Sequence, residues 1–342
     1  MDHTTIAVDV AKSVFEVAVS DRPGHVSRRE RLTRGRFLEF FANRPATTVL
    51  MEACGSAHHW SRQINQLGHK VVLLPAHCVR RYVMGNKTDR GDAKALLEAY
   101  RNDQIRPVPV KTINQQALVS LHRIRSGWMA TRTARLNTVR GLLREFGITI
   151  AVGARQVLPR LGELLEDAES AVPDALRGVL FEAGEEIREL ERKIRSVERQ
   201  LKALAHEMPL VGRLQSIPGI GLLTSTALVA FVGDAARFPT GRHLASYLGL
   251  TPRERSSGLV RRLGRISKRG DAYLRMLLIH GARAVLWHAK KPSQQDRLRS
   301  WGLAVEQRRG HNKAAAAVAN KLARICWAVW TREREYTKQR AA

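Results

Sequence analysis

The chain has 342 residues, 44% of them hydrophobic but only 6% aromatic, which suits a helix-rich globular protein of two or three domains and excludes a disordered one. Its 58 Lys and Arg against 31 Asp and Glu give a formal charge of +27, spread from end to end, the electrostatic footprint of a nucleic-acid binder. No apolar run nears the ~18 residues of a membrane span, "MDHTTIAVDVAK" lacks the pattern of a secretory leader, and the three cysteines (Cys54, Cys78, Cys326) form no CxxC pair, so a reduced, cytoplasmic protein without membrane contact, disulfide framework or zinc site is expected.

Residues 4–20, "TTIAVDVAKSVFEVAVS", alternate apolar and polar positions around Ala11-Lys12-Ser13, the pattern of two strands joined by a tight turn. "VSRRERL" supplies a third strand and "RGRFLEFFANRP" a helix ended by Pro45. A strand in "TTVLMEACG" stops after Glu52. Next come a helix in "AHHWSRQINQLGH", a strand in "KVVLLP" and a helix in "TDRGDAKALLEAYRND". A hairpin run of strands followed by strand–helix alternation predicts a mixed α/β sheet with helices packed on it, in a first domain placed at 1–150.

After Pro107 the pattern is helical. "QQALVSLHRIRSGWMATRTARLNTVRGLLREFG" spaces Leu118, Leu121, Ile124 and Trp128 as on a helix, among Arg123, Arg125, Arg132, Arg135, Arg140 and Arg144. Those arginines read either as phosphate contacts or as a solvated face. From Leu176 through Leu180, Ala183, Ile187, Leu190, Ile194, Val197, Leu201 and Leu204 the apolar positions alternate by four and three, which predicts a coiled coil within 151–208. Its stripe needs a partner, and the expected one is a second copy of the chain in a homo-oligomer, a dimer that becomes a tetramer when active, with a helical hairpin within one chain as the alternative.

The region 209–342 opens with "LQSIPGIGLLTSTALVAFVGD", in which Pro218-Gly219-Ile220-Gly221 resembles a helix-hairpin-helix turn. The amides of Gly219 and Gly221 can approach a phosphate closely, although such turns also serve only to pack helices. A basic, glycine-punctuated loop follows in "GLTPRERSSGLVRRLGRISKRGDAYLRMLLIHGARAVLW", leading into an apolar helix, and "NKAAAAVANKLARICWAVW" supplies a helix that closes this mainly helical domain.

Four acids stand out against the basic background. Asp9 lies between Val8 and Val10 in a strand of high β-propensity, where it costs stability unless something uses it. Glu52 ends a later strand, and Asp89 and Asp92, three residues apart, share one face of a helix. If the sheet is wound as an RNase H fold, the first and fourth strands are neighbours and the four carboxylates converge at one sheet edge. They would then repel unless neutralised, and the natural neutraliser is a pair of hard divalent cations, Mg²⁺ or Mn²⁺. Such ions clamp the attacking and leaving oxygens of phosphoryl transfer, lying about 3.5–4 Å apart. The alternative is helix capping: Asp89 at the N-cap with Asp92 at N3, and Glu52 before a helix start.

The motifs "AVDVAK", "MEACG", "NKTDRGDAKAL", "SIPGIGLLTSTAL" and "YLGLTPRERSSGLVRRLGRISKRGDAYLR" together resemble, over essentially the whole chain, the DEDD transposases of the insertion-sequence one-ten family, eleven-eleven subgroup. The resemblance implies a RuvC-like N-terminal domain with Asp9, Glu52, Asp89 and Asp92 as catalytic metal ligands, a coiled-coil insert, and a C-terminal transposase domain that carries a nucleophilic serine. The family's Ser-Gly after Gly-Leu-Thr-Pro falls on Ser257-Gly258, beside a second hydroxyl at Ser256. It also implies a structured guide (bridge) RNA that pairs with donor and target DNA, and a prokaryotic, nucleoid-associated location. Taken from the residues alone, a serine among Arg253, Arg255, Arg261 and Arg262 fits a phosphoryl-transfer nucleophile, because guanidinium groups stabilise the pentavalent charge. It equally fits a loop that only touches the DNA backbone. Lys87, Arg265, Lys268 and Arg269 complete the expected nucleic-acid contacts. The competing activities are a RuvC-like nuclease or junction resolvase that cuts by metal-activated water, and a non-catalytic nucleic-acid scaffold.

The charge itself generates the first prediction. With about six phosphates neutralised, affinity for duplex DNA should fall by orders of magnitude between low and moderate salt. Anisotropy titrations across that range check this, and a nearly flat dependence contradicts it.

Overall fold

A computed structural model of the chain describes residues 4–23, 25–84, 89–291 and 296–337, and of residues 89 and 90 the backbone alone. Two compact units meet between Asn114 and Gln115, so nearly all of the long basic helix, expected within 1–150, belongs to the second unit.

In the first unit β1 (Thr5–Val10), β2 (Val14–Ser20) and β3 (Arg28–Thr33) form an antiparallel meander. β4 (Thr48–Glu52) and β5 (Lys70–Leu74) add in parallel to β1, giving the order β3-β2-β1-β4-β5. The link Ala11-Lys12-Ser13 is too short for a crossover, so β2 must return antiparallel. The segments holding α1 (Phe37–Ala42) and α2 (Ala57–Gln66) are long enough to bring the chain back for parallel pairing.

The two-residue period of a strand sorts side chains between two faces. Ile6, Val8, Phe15, Val17, Val49, Met51 and Leu73 turn to one layer, where Phe37 and Phe41 of α1 and Trp60 and Ile64 of α2 cover them. Ala7, Ala18, Leu50, Val72 and Leu74 turn to the other. There, after the short α3 (Ala76–Val79), α4 (Asp89–Tyr100) packs through Ala93, Leu96, Leu97 and Ala99. Small side chains on both sides, Ala7 and Ala18 against Ala93 and Ala99, let the helix lie close to the sheet. This mixed α/β sheet is compatible with a RuvC-like domain.

In the second unit α5 (Ile113–Glu145) and α7 (Asp174–His206), 33 residues each, run antiparallel. Arg125, Arg132 and Arg135 pair with Glu198, Glu191 and Glu186, in reverse order along α7. Leu118 and Val119 of α5 meet Val197 and Leu201 at one end. At the other, Leu136, Val139 and Leu143 meet Leu180 and Ile187, joined by Leu161 and Leu164 of α6 (Val157–Glu166). The heptad seam of α7 is therefore covered within the chain, and the expectation that it takes a second copy is corrected: the apolar stripe already has its partner in α5 and α6.

The remaining helices, α8 (Pro209–Gln215), α9 (Leu222–Val232), α10 (Gly241–Tyr247), α11 (Ala272–Ala289), α12 (Arg297–Arg309) and α13 (His311–Thr331), enclose a core that includes Leu214, Leu228, Leu244, Leu278, Val285 and Leu322. Between α10 and α11 a ribbon of two short strands, β6 (Pro252–Glu254) and β7 (Leu263–Ile266), stands almost wholly in solvent. The turn between α8 and α9 packs backbone to backbone on α11. A Cβ on Gly219, which holds φ 82°, would lie 2.6 Å from the Gly281 carbonyl oxygen, so only glycine fits there.

A buried polar network ties α5, α9 and α11 together. Thr226 Oγ1 donates to the Leu222 carbonyl (2.6 Å) and so accepts from His122 Nε2 (3.0 Å), leaving His122 Nδ1 to accept from the Tyr273 hydroxyl (3.1 Å). Burial, with the nearby Arg125 charge, holds His122 neutral and pushes its pKa down from 6.5 to about 4. The unfolded chain therefore takes up this proton first as pH falls. The stability that neutral His122 contributes, at most about 3 kcal/mol, is complete above pH 6.5 and is lost as pH falls from there to about 4. Urea unfolding at neutral pH and at about pH 5 should show a fall in stability for wild type that is smaller in His122→Gln.

Candidate active site

Three acids follow from the pleat of the first unit. β1 pairs β4 in parallel up to Val8↔Met51, and the next residue on each strand is Asp9 and Glu52. Alternation puts both on the face of Ala7 and Leu50, the one α4 covers, on strands spaced about 4.8 Å apart. Across the antiparallel ladder Asp9 is the register partner of Glu16, which is the partner of Arg31, so the row reads Arg31-Glu16-Asp9-Glu52. Glu16 is only 7% exposed and accepts from Arg31 Nε at 3.4 Å. The argument that singles out Asp9, an acid inside a strand of β-branched residues, applies equally to Glu16 and was available in "VFEVAV".

The electrostatic consequence appears at Cys54. Its thiol pKa is raised first by burial and then by the negative charges of Glu52 and Asp9, so both carboxylates act on one point at the ends of these strands. Asp92 is half-buried in the first turn of α4. Positions 89 and 92 fall on the helical stripe of Ala93 and Leu96, the stripe that packs on the acid-bearing face. Lys87 and the side chain of Asp89 lie outside the described residues. Oxygen donors of this kind are those a hard divalent cation selects, which is the sense in which the residues fit one. Among the described residues, no three His, Cys, Asp or Glu side chains close into a metal-holding group.

The serines lie at the tip of the exposed ribbon. Ser257 N–H donates to the Val260 carbonyl (3.3 Å) and Val260 N–H to the Ser257 carbonyl (3.1 Å), leaving Gly258-Leu259 as a two-residue turn. Gly258 holds φ 55° and Leu259 does not share it, the φ pattern of a type II′ hairpin turn, which asks for glycine first. The Ser-Gly pair is thus a turn requirement as well as a motif. The register continues through Arg255 N–H to the Arg262 carbonyl (2.9 Å) and the Glu254↔Leu263 pair.

That register sorts the ribbon's two faces. On one, the Ser256 hydroxyl donates to Glu254 Oε1 (2.8 Å) and accepts from Arg262 N–H (3.2 Å), while Arg261 Nε donates to the same Glu254 oxygen (3.1 Å). Those two donors, Ser256 first, hold the Glu254 carboxyl below its usual range. On the other face stand Ser257, Val260, Arg255 and Arg262. Among the described residues the Ser257 hydroxyl has no hydrogen-bond partner, and neither Arg255 nor Arg262 has a carboxylate. The base is held firmly. Ser267 N–H donates to the Thr251 carbonyl (2.7 Å) and Lys268 N–H to the Gly249 carbonyl (3.1 Å). A Cβ on Gly249 (φ 71°) would sit 2.1 Å from the Arg269 oxygen.

The other basic candidates divide. Arg125 and Arg132 are 15% and 16% exposed and engaged by Glu198 and Glu191, and Arg135 is engaged by Glu186, whereas Arg123 is exposed. Arg253 folds back on the Ser267 carbonyl. Arg265, Lys268 and Arg269 are exposed along the second leg of the ribbon and its base. Gly219 is committed to packing on α11, while Gly221 is exposed at the start of α9.

Residues 6–148 match the IS110 DEDD model described as "Transposase", and residues 211–299 match the family described as "Transposase IS116/IS110/IS902 family". A probable family 20 transposase of Pseudomonas aeruginosa is 44% identical over 338 residues, 98% of this chain and 99% of that protein. The transposase for insertion sequence element IS1111A of Coxiella burnetii is 39% identical over 335 residues, 98% and 92% of the two chains. The pilin gene-inverting protein of Moraxella lacunata is 31% identical over 128 residues, 37% of this chain and 38% of that protein. A sheet that sets acids on neighbouring parallel strands, a basic serine ribbon and relatives matched over nearly their whole length lead to one conclusion: the chain belongs to the IS110 family of DEDD transposases and is an enzyme of DNA strand cleavage and transfer.

Proposed function

We propose that the chain is an RNA-guided recombinase that cuts and rejoins DNA through a phosphoserine at Ser257, with a divalent cation held by Asp9, Glu52, Asp89 and Asp92. The observation that carries the reading is the sorting of the ribbon. Ser257 shares its face with two arginines that have no carboxylate partner among the described residues, whereas the Ser256 hydroxyl is spent within the protein. A phosphate drawn to Arg255 and Arg262 meets the Ser257 hydroxyl and not that of Ser256. The Oγ–P bond forms as one P–O bond to deoxyribose breaks, and the sugar oxygen gains a proton as the serine loses one. Attack by a sugar hydroxyl later reverses both changes and frees the serine.

Bound Mg²⁺ or Mn²⁺ supplies charge neutralisation for the phosphoryl oxygens. The chain's own part is to hold the acids on rigid strands and a helix end and to aim the arginines at the phosphate. Rejoining is what a protein named for gene inversion must also accomplish, which supports bond conservation here. Guide RNA is inferred from the resemblance to the eleven-eleven subgroup and the 39% identity to an IS1111A transposase. Action at two DNA sites calls for more than one copy, and because the α7 seam is covered, that contact belongs on another surface.

Asp9→Asn should reduce strand cleavage in Mg²⁺ by orders of magnitude while leaving DNA binding largely unchanged, read by gel cleavage and anisotropy on one substrate. Full cleavage in Asp9→Asn refutes the metal site.

For the serine, wild type, Ser256→Ala and Ser257→Ala are incubated with RNA transcribed from the DNA beside the gene, Mg²⁺ and end-labelled DNA, then denatured. Label should migrate with wild type and, at least in part, with Ser256→Ala, and not with Ser257→Ala. Efficient cleavage with no adduct in any protein supports water-mediated hydrolysis instead.

A further inference from the structure

The same ribbon has an apolar apex. Leu259, second residue of the two-residue turn, is fully exposed, and Val260 beside it is 54% exposed. Single exposed leucines are ordinary on protein surfaces. Here two bulky aliphatics stand side by side at a turn where Asn, Asp, Ser or Gly is the usual choice, on a ribbon otherwise dense in arginine. A β-turn tip needs no leucine for its own stability, and among the described residues nothing lies within 4 Å of a Cβ built on Gly258.

We propose that Leu259, supported by Val260, is a wedge that enters duplex DNA at the base step beside the phosphate facing Ser257 and partly unstacks it. This rests on the reading of Ser257 as the residue that meets that phosphate. The charge argues for DNA as the occupant: Arg255 and Arg262, on the face of Ser257 and Val260, have no acid partner among the described residues, which suits a polyanion. Apolar side chains presented between basic residues are the means by which proteins kink a duplex at one step, and a narrow β-ribbon fits within a groove. Geometry adds the positioning. Val260 lies directly across the ribbon from Ser257, and Leu259 is two residues from it in a turn whose conformation Gly258 fixes. A wedge there places the unstacked step next to the reacting phosphate. Opening that step turns the sugar–phosphate link out of its helical geometry and toward an attacking hydroxyl.

The test uses the full-length protein, RNA transcribed from the DNA beside the gene, Mg²⁺ and duplexes spanning one end of the insertion element. 2-Aminopurine, whose fluorescence rises on unstacking, is placed in turn at each step around the cleavage position, and binding is followed by anisotropy. Wild type and Ser257→Ala should raise the signal several-fold at one or two adjacent steps. Leu259→Ala should bind the duplex but leave the signal near that of free DNA, and Leu259→Phe should restore it. A Leu259-dependent rise in Ser257→Ala, together with no adduct from wild type, would overturn the serine reading and leave the wedge standing. A rise that Leu259→Ala does not diminish overturns the wedge, as does bound duplex with no rise at any step. If Leu259→Ala instead lowers the oligomer's mass in sedimentation while the rise persists, the apex is a contact with a second copy and the proposal fails.

Discussion

A protein that carries +27 charges still gathers carboxylates on one face of its sheet, and the repulsion among those carboxylates constrains much of the rest. Asp9, Glu16 and Glu52 stand in one row across three adjacent strands, on one face of the sheet. Such a row cannot relax by swinging apart, because each acid's backbone is fixed by ladder hydrogen bonds on a strand with core on both sides. Glu16 is answered by Arg31 from β3. Burial raises the pKa of the neighbouring Cys54 thiol, and the charges of Glu52 and Asp9 push it in the same direction. The aromatic layer of Phe15, Phe37 and Trp60 under the opposite face supplies the packing against which this electrostatic cost is set. Tight burial of Ala7 and Ala18 beneath α4 sets where that helix, and with it Asp92, can lie.

The second unit handles charge by the opposite device. Along α5, Arg125, Arg132 and Arg135 are matched by glutamates of α7, so this stretch of the hairpin is internally compensated. The unmatched charge is moved outward to the ribbon between α10 and α11. There one face is neutralised by Glu254, while on the other Arg255 and Arg262 have no carboxylate partner among the described residues. His122 and Tyr273 join α5 to the start of α11, the helix that follows the ribbon, through a buried chain of hydrogen bonds. That link gives the ribbon's second leg a fixed base.

How much of this could be read from the sequence depends on the range of the signal. The strands of the first unit are legible because alternation with period two is local, and Asp9 is conspicuous because it breaks that alternation's chemistry. Glu16 breaks it equally and was passed over, since only the register with Arg31 and Asp9 reveals its place in the row. The heptads of α7 show a stripe that must be covered, but periodicity carries no information about which helix covers it. That α5 does so is a contact between residues about fifty to seventy positions apart, as Arg135–Glu186 and Arg125–Glu198 are. Arg125 and Arg132 looked like free cations for the same reason, because their partners are distant in sequence. His122, a single polar residue on an otherwise ordinary helix, gave no local sign that it would be buried.

The two adjacent serines are the clearest case of geometry deciding what composition leaves open. In sequence, Ser256 and Ser257 differ only in that one precedes glycine. On a ribbon, neighbours point to opposite faces, so a one-residue difference becomes a difference of environment. Gly258 supplies the positive φ that closes the turn in two residues. That closure sets the register, pairing Arg255 with Arg262 behind Ser257, and Arg261 with Glu254 behind Ser256. A turn one residue longer would shift the pairing and place Ser257 across from a different residue, with other charges behind it. The glycine therefore sets the surroundings of both serines, and a larger residue at position 258 would disturb them through the ladder and not through crowding, since the space around its missing Cβ is open.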